Sequence, residues 1–253
     1  MEVTPIPAFR DNYIWLLQRG GHATVVDPGD AAPVRAALSA RNLRLDTILI
    51  THHHDDHIGG VADLLQEFPA TVYASRSGRY PFPHHGVGEG DTITLDHPHT
   101  RLQVMETPGH TLDHVAYYGA DSLFCGDTLF SCGCGRVFEG TCQQLYHSLQ
   151  RLASLPPVTK VYCAHEYTLD NLLFALKVDP DNINLEKRRN EVERLRSEGK
   201  PSLPSSIALE LTTNPFLRCD SPAIQSAAKA QTGVTPTDSS AAFCTLRIMK
   251  NSF

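Results

Sequence analysis

The chain has 253 residues, of which 41% are hydrophobic and 20% charged, and it carries a formal net charge of −6. That length allows one sizeable domain plus a small one, and the composition is ordinary for a soluble globular protein. The acidic balance argues against a general nucleic-acid binder, no apolar run approaches the roughly 20 residues that span a bilayer, and the N-terminus does not resemble a signal peptide, so we expect a cytoplasmic protein with no membrane partner.

Short strand-like runs bounded by Gly, Pro or Asp dominate residues 1–165. Strands are predicted at residues 23–26, 45–50, 71–74, 102–106, 115–118, 122–125 and 160–163. Helices are predicted at residues 32–40 and 61–68, and in the second of these Val61, Leu64 and Phe68 recur at helical spacing on one apolar face.

The character of the chain changes after residue 165. Helices are predicted at residues 169–177, 183–198 and 221–231, and the last begins from Ser221 as N-cap with Pro222 at the first helical position. Residues 201–204 contain two prolines and predict a linker. We therefore expect two domains, residues 1–165 and residues 166–253, of which the second is small and helical.

Seven cysteines is an odd number, and their spacing shows no disulfide framework, so reduced thiols are expected. Cys132 and Cys134 could bind a metal or form a redox pair. Two sulfurs do not complete a tetrahedral site, however, and neutral thiols in a glycine-rich loop are the favoured interpretation. Cys125 and Cys163 lie inside apolar runs and are expected in the core.

The segment 51–57 concentrates metal-ligand chemistry. It reads T-H-H-H-D-D-H and directly follows the strand predicted at residues 45–50. His52 and His54 point the same way from an extended backbone, so one metal can take both, whereas the adjacent Asp56 and His57 can diverge toward a second ion. Imidazole with carboxylate suits zinc, iron or manganese. The alternatives are a solvated polar loop and a His-rich tract that binds metal adventitiously.

Three further candidate ligands follow strand-like runs of their own. His110 comes after the strand predicted at 102–106, Asp127 after 122–125, and His165 after 160–163. Ligands in sheet-based proteins gather at the carboxyl ends of strands, so groups distant in sequence can converge there. Any one of these histidines alone would more often be a hydrogen-bonded structural residue, but the repeated placement favours one metal centre.

Four motifs carry a resemblance to a known superfamily. They are T-H-x-H-x-D-H at 51–57, T-P-G-H-T at 107–111, F-C-G-D-T-L-F at 124–130 and C-A-H-E-Y-T at 163–168. Together they resemble the metallo-β-lactamase superfamily. The likeness narrows to the hydroxyacylglutathione hydrolases, or glyoxalase II enzymes, through C-G-R-V-F-E-G-T at 134–141, N-P-F-L-R at 214–218 and R-I-M-K at 247–250. With matching segments at 5–9, 11–15 and 26–30 it spans nearly the whole chain.

The resemblance implies an α+β fold, in which an αββα sandwich of two mixed sheets is followed by a small C-terminal helical domain. It also implies two divalent metal ions, for which zinc is favoured and iron or manganese are open alternatives. One ion would be held by His52, His54 and His110 and the other by Asp56, His57 and His165, with Asp127 bridging both. A metal-bridged hydroxide would attack a thioester carbonyl, with Asp56 and Asp127 as the catalytic carboxylates.

The implied substrate is S-D-lactoylglutathione, hydrolysed to D-lactate and glutathione in the second step of methylglyoxal detoxification. The residues implied for substrate binding are Arg136, Phe138, Tyr167, Arg247 and Lys250. Cations among them would attract the glycine carboxylate of glutathione, and the alternative for Arg247 alone is a solvated surface cation. We expect a monomer whose partner is this small molecule.

Some positions depart from the family pattern, and rival functions are open. Phe138 stands where many relatives have tyrosine, and Asp113 stands where a glycine is usual. His114 is expected to be structural, and Asp27 either supports the ligand loops or forms a turn. A glutathione persulfide dioxygenase with a single iron is the main rival, although the complete second ligand set argues against it. The others are a lactonase or β-lactamase on the same scaffold and a non-catalytic metal-binding module.

Overall fold

Apolar runs form the centre of an N-terminal mixed sheet. The computed structural model describes residues 2–76, 79–97 and 99–253. The strands follow one another across the sheet in chain order: β1 (Glu2–Ala8), β2 (Asn12–Arg19), β3 (His22–Val26), β4 (Arg44–Leu49), β5 (Thr71–Ser75) and β6 (His85–Val87). Pairing is antiparallel from β1 to β3 and parallel from β3 to β6. β2 and β3 are buried along most of their length, as expected for a sheet covered on both faces.

Helices occupy the connections of this sheet. They are α1 (Ala31–Arg41), α2 (Asp55–Ile58) and α3 (Val61–Glu67). α1 begins at its N-cap Asp30, whose Oδ1 accepts a hydrogen bond of 2.9 Å from the Ala32 amide, and it ends at Asn42 in the left-handed conformation, with φ of 51°. The buried side chains of α1 and α3 pack with those of the sheet in one apolar core.

A second, antiparallel sheet completes the first compact unit of the chain. The strands of it that belong to this unit are β7 (Thr92–Leu95), β8 (Thr100–Glu106), β9 (Val115–Gly119) and β10 (Ser122–Gly126), in the order β10-β9-β8-β7. Tyr117 of β9 links it to the first sheet, because its buried hydroxyl donates a hydrogen bond of 2.6 Å to the Ile50 carbonyl beyond β4. Burial raises the pKa of Tyr117, which keeps this hydroxyl a donor. The unit comprises the residues up to Thr107 together with Asp113–Gly126.

The second compact unit, Pro108–Leu112 with Asp127–Phe253, is mostly helical. Its elements are β11 (Leu129–Phe130), β12 (Gly133–Cys134), α4 (Cys142–Ala153), β13 (Lys160–Cys163), α5 (Thr168–Val178), α6 (Ile183–Ser197), β14 (Ser205–Ser206), α7 (Ile207–Thr213), α8 (Pro222–Thr232) and α9 (Ser239–Asn251). Leu172, Ala175, Leu185 and Val192 form a core in which α5 packs on α6. None of the described helices is both long and apolar enough to cross a membrane.

The predicted α+β class is confirmed, and the predicted elements are found with small shifts at their ends. The helix predicted at 221–231 is α8, which has Ser221 as its N-cap and Pro222 in its first turn, as predicted. The sequence patterns do not predict β1, β2, β6, β7, β11, β12, β14, α2, α4, α7 or α9. A signal for α4 was nevertheless present, because Thr141 and Gln144 form a capping box at its start. The proposed domain boundary at residues 165 and 166 stays a prediction.

The expectation that all cysteines are reduced is wrong for one pair. Cys142 in α4 and Cys244 in α9 form a disulfide with Cα atoms 5.5 Å apart and a sequence separation of 102. The two helices bring together residues that are too distant in sequence for their spacing to reveal the pairing. The remaining five cysteines are buried and form no disulfide, and burial raises the pKa of Cys132 to about 12, so this thiol is neutral as predicted.

Candidate metal centre

The ligand segment of the first unit is anchored by a buried carboxylate, Asp27. Beyond the end of β4, Thr51 donates its main-chain amide to Asp27 Oδ1 at 2.8 Å and its hydroxyl to Oδ2 at 2.7 Å. The same Oδ2 lies 3.0 Å from His57 Nδ1. Asp27 therefore fixes both the start of the segment and the ring of His57. This favours a role for Asp27 in supporting the ligand loops over a role as a turn-forming residue only.

The turn after Asp27 also lies against the ligand main chain. A Cβ atom built on Gly29 would lie 1.9 Å from the carbonyl oxygen of Asp56. No side chain fits in that space, so only glycine lets the two backbone segments approach this closely. The place of Asp56 is thus set by main-chain contact as well as by side chains.

The candidate ligands of the first unit present their donor atoms to one another. His52 Nε2 lies 3.0 Å from His54 Nδ1, and His57 Nε2 lies 3.5 Å from Asp56 Oδ2. His52 and His57 are almost completely buried, with ring centroids 4.0 Å apart. Asp56 Oδ2 also accepts a hydrogen bond of 3.0 Å from Asn12 Nδ2. The sequence patterns do not single out Asn12, although it lies in one of the N-terminal segments that carry the family resemblance.

The candidate ligands of the second unit meet at one carboxylate. Asp127 Oδ2 lies 3.4 Å from His110 Nε2, and Asp127 Oδ1 lies 3.4 Å from His165 Nε2. All three side chains are buried. The other ring nitrogen of His110, Nδ1, lies 2.7 Å from the carbonyl oxygen of Arg136, which can only accept, so Nδ1 carries the proton and Nε2 presents its lone pair. Asp127 offers one oxygen to each of two histidines, as a bridging ligand would.

The spacing of these donor atoms fits metal coordination. In a tetrahedral shell with bonds of about 2.0–2.1 Å, neighbouring ligand atoms lie about 3.3 Å apart. The pairs described above lie at 3.0, 3.4, 3.4 and 3.5 Å. Lone pairs that face each other at such distances repel unless a cation or a proton lies between them. The side chains of each unit therefore fit divalent cations of the zinc, iron or manganese type.

Aromatic rings surround His165. The ring of Tyr167 stacks on it with centroids 4.7 Å apart and planes inclined by 6°. Phe130 places its edge against both rings, at centroid distances of 5.8 Å to His165 and 5.3 Å to Tyr167. Tyr167 is half-buried, so it can hold the ligand ring in place and still reach a bound molecule.

Two of the predicted substrate-binding residues lie on an exposed loop beside His110. Phe138 is 61% exposed, and its ring centroid lies 5.2 Å from that of His110. The guanidinium carbon of Arg136 lies 5.8 Å from the Phe138 ring centroid. This loop thus presents a cation and an apolar face to solvent next to a candidate ligand.

The other two predicted cations, Arg247 and Lys250, lie on α9 and contact the protein itself. Arg247 is 7% exposed and donates from Nη1 to the Cys134 carbonyl at 2.8 Å, so it is not a solvated surface cation. Lys250 is half-buried and donates from Nζ to the Asp170 carbonyl at 3.0 Å. Burial, with the charge of Arg247 nearby, lowers the pKa of Lys250.

Asp113 is tied to the ligand segment although it is not itself a predicted ligand. His53 Nδ1 lies 2.8 Å from Asp113 Oδ1, and the Tyr80 hydroxyl donates to Asp113 Oδ2 at 2.9 Å. Burial and the neighbouring Asp113 carboxylate raise the pKa of Tyr80, which keeps that hydroxyl protonated. His114 Nδ1 lies 2.9 Å from the Thr107 hydroxyl, in keeping with the structural role expected for His114. The side chain of Asp113 thus ties down His53, which lies between the candidate ligands His52 and His54.

Two buried side chains, those of Asn214 and Glu210, hold the connection between β11 and β12. The Asn214 side chain donates to the carbonyls of Gly133, at 2.8 Å, and Phe130, at 3.1 Å. The Glu210 carboxylate accepts a hydrogen bond of 2.8 Å from the Cys132 amide and one from the Ser205 hydroxyl. Burial raises the pKa of Glu210. Asn214 belongs to the N-P-F-L-R motif, whereas no sequence signal marks Glu210.

Comparison with known proteins identifies the family. Residues 8–165 match the metallo-β-lactamase superfamily model, and residues 166–253 match the model described as hydroxyacylglutathione hydrolase C-terminus. The chain is 54% identical to the hydroxyacylglutathione hydrolase of Methylobacillus flagellatus, over 100% of this chain and 99% of that relative. Among solved structures, ETHE1 from Myxococcus xanthus is similar with a TM-score of 0.65 at 28% identity, covering 85% of this chain and 84% of that one. TTHA1623 in a di-iron-bound form has a TM-score of 0.63 at 26% identity, covering 85% of this chain and 100% of that one. The chain therefore belongs to the hydroxyacylglutathione hydrolase family of the metallo-β-lactamase superfamily.

Proposed function

We propose that the protein hydrolyses the thioester of S-2-hydroxyacylglutathiones, converting S-D-lactoylglutathione and water to D-lactate and glutathione in the second step of methylglyoxal detoxification. Membership of the family, shown over the full chain, supports this reaction. The structural observation that carries it is the carboxylate of Asp127, whose two oxygens face two different buried histidines at 3.4 Å. One carboxylate shared in this way suits a centre of two metal ions that lie about 3.5–4 Å apart.

The centre is proposed to take two divalent metal ions, with zinc favoured over iron and manganese. One set of ligands is His52, His54 and His110, the other is Asp56, His57 and His165, and Asp127 is common to both. When bound, the ions supply an acidified water molecule and Lewis-acid polarisation of the thioester carbonyl. The carboxylates of Asp56 and Asp127 are the proposed catalytic groups, because their oxygens can accept hydrogen bonds from the attacking water and so orient it.

The glutathione leaving group does not require a proton donor from the protein. A thiol has an ordinary pKa of about 8.5, so the glutathione thiolate can depart without first taking a proton. An amine leaving group would need a proton donor placed beside it. A site made of imidazoles and carboxylates that orient water therefore suffices for a thioester, which is consistent with this substrate class.

Substrate binding is proposed for Arg136, Phe138, Tyr167, Arg247 and Lys250. Arg136 is exposed and can pair with a carboxylate of glutathione. Phe138 offers only an apolar ring where many relatives offer a tyrosine hydroxyl, so its contact with substrate is by packing alone. Tyr167 lies against His165 and would contact the acyl end, whereas the two cations of α9 would attract the glutathione end.

The test is hydrolysis of S-D-lactoylglutathione by protein whose metal content has been measured. We expect activity with about two ions per chain, loss on chelation and recovery with zinc. Asp127→Asn should lower kcat/KM at least by the roughly 10- to 100-fold that loss of a supporting partner causes, because the amide nitrogen cannot act as the second ligand oxygen. About one iron per chain with oxygen consumption on glutathione persulfide would establish the dioxygenase instead, and a metal-loaded but inert protein would establish a binding module.

We further propose a cytoplasmic monomer that acts on this small molecule alone. Support comes from the ordinary composition and the acidic net charge of −6, which suit a soluble enzyme without a nucleic-acid partner. Size-exclusion chromatography with light scattering tests the monomer, and fractionation of the native cells tests the compartment.

A further inference from the structure

Arg247 directs its hydrogen bonds to the main chain of a loop. Nη1 donates to the Cys134 carbonyl at 2.8 Å and to the Gly135 carbonyl at 3.2 Å. Nη2 donates to Asn251 Oδ1 at 3.2 Å, and the guanidinium carbon lies 5.2 Å from the ring centroid of Phe216. A guanidinium that is only 7% exposed loses much of its hydration, so these carbonyl partners must stay in fixed positions to offset the loss.

The carbonyl groups of residues 134–136 connect Arg247 to a candidate metal ligand. The first two accept hydrogen bonds from Arg247, and the third, that of Arg136, accepts from His110 Nδ1 at 2.7 Å. The same loop is in close contact with Asp127. A Cβ atom built on Gly135 would lie 1.9 Å from the Asp127 carbonyl oxygen and 3.3 Å from His110 Nδ1. A displacement of this loop would therefore rotate His110 or collide with Asp127.

The orientation of His110 depends on this arrangement. Its Nδ1–H bond to the Arg136 carbonyl fixes the tautomer and leaves Nε2 at 3.4 Å from Asp127 Oδ2. Loss of such a partner from a metal-binding histidine typically lowers metal affinity 10- to 100-fold. Here the partner is a backbone carbonyl, which no substitution at Arg136 can remove. A side chain that holds this backbone in place can therefore control the geometry of His110.

We propose that Arg247 is a positioning residue of the metal centre, which acts through the backbone of residues 134–136 on His110 and Asp127, in addition to its proposed contact with substrate. The proposal rests on the proposed function only in taking His110 and Asp127 as metal ligands. It separates the roles of the two cations of α9, since Lys250 donates its hydrogen bond to the Asp170 carbonyl.

The test is the zinc affinity of Arg247→Met and Arg247→Lys, measured by competition with a chromophoric chelator. We expect about tenfold weaker zinc binding for Arg247→Met. Partial recovery is expected for Arg247→Lys, whose ammonium keeps one charged donor for the Cys134 carbonyl. The kcat should fall both for S-D-lactoylglutathione and for a simple acyl thioester without glutathione. Unchanged zinc affinity, with a raised KM for the glutathione thioester only, would overturn the proposal and leave Arg247 as a substrate contact.

Cys244→Ser is the matched control. It lies on the same helix and removes the disulfide to Cys142, but it leaves the Arg247 guanidinium unchanged. We expect it to melt at a lower temperature and yet to bind zinc as the wild type does. Equal zinc loss in Cys244→Ser and Arg247→Met would show that any loosening of α9 suffices, which overturns the positioning role.

Two further outcomes have a defined meaning for the proposal. If Arg247→Met does not fold, Arg247→Gln carries the test, because glutamine is shorter than arginine and lacks the charge, so its amide cannot replace the bonds to both carbonyls. Wild-type zinc affinity in that variant overturns the proposal. If wild-type protein binds zinc but hydrolyses no thioester, the proposed function fails, whereas the comparison of zinc affinities still decides the role of Arg247.

Discussion

Removing the disulfide between Cys142 and Cys244 should lower the thermal stability of the protein substantially. The bond joins residues separated by 102 positions, and the loss of freedom in the unfolded chain corresponds to about 4.7 kcal/mol for a loop of roughly this length. Native disulfides contribute about 2–5 kcal/mol when they are removed experimentally. Each kcal/mol shifts Tm by about 2–4 °C at this chain size, so Cys244→Ser should melt roughly 4–20 °C below the oxidised wild type.

Circular dichroism melts of oxidised wild type, reduced wild type and Cys244→Ser measure this difference directly. The two forms without the bond should melt close together. Cys142 and Cys244 are half-buried, whereas the cysteines outside the disulfide are buried. Alkylation of the native protein should therefore label Cys142 and Cys244 after reduction and neither of them before it. Equal Tm values for the oxidised and reduced wild type would refute the reasoning, since the cross-link would then leave the unfolded chain unconstrained.

The buried carboxylates of Asp27 and Glu210 give two more predictions. Asp27→Asn keeps an acceptor for the Thr51 amide but loses the carboxylate oxygen beside His57, so zinc affinity by chelator competition should fall about 10- to 100-fold; wild-type affinity would contradict that role. Burial raises the pKa of Glu210 above its ordinary 4.5. Between these two pKa values the folded protein binds more protons than the unfolded chain, so the free energy of unfolding should fall as pH rises through that window. Urea titrations across pH should show this fall in wild type and not in Glu210→Gln, and parallel curves would count against it.

The candidate ligands could be predicted from the sequence because their chemistry is local. His52, His54, Asp56 and His57 lie within one segment, and ligand type and spacing alone indicate a metal site. Within each unit the structure places neighbouring predicted ligand atoms at 3.0–3.5 Å. The strands that precede them could also be predicted, because buried strands are continuous apolar runs.

The supporting contacts could not be predicted because they depend on how distant segments pack. Arg247 reaches a carbonyl 113 positions away, and carbonyl acceptors are present at every residue, so no pattern marks Cys134 as the partner. The sequence suggested a cation for substrate or for solvent, and the structure shows a buried guanidinium on main-chain oxygens. Cys142 and Cys244 illustrate the same limit, since two cysteines in separate helices carry no sign of their pairing.

The close approach of glycine backbone to the ligand main chain has a consequence for redesigning the enzyme. Gly29 lies against the carbonyl of Asp56, and Gly135 lies against the carbonyl of Asp127, with room for a Cβ atom at neither position. Random mutagenesis at these two positions would yield mostly inactive clones, whatever substrate is selected for. A library aimed at a new acyl group would therefore hold both glycines constant and vary Phe138, which is 61% exposed and lies next to His110.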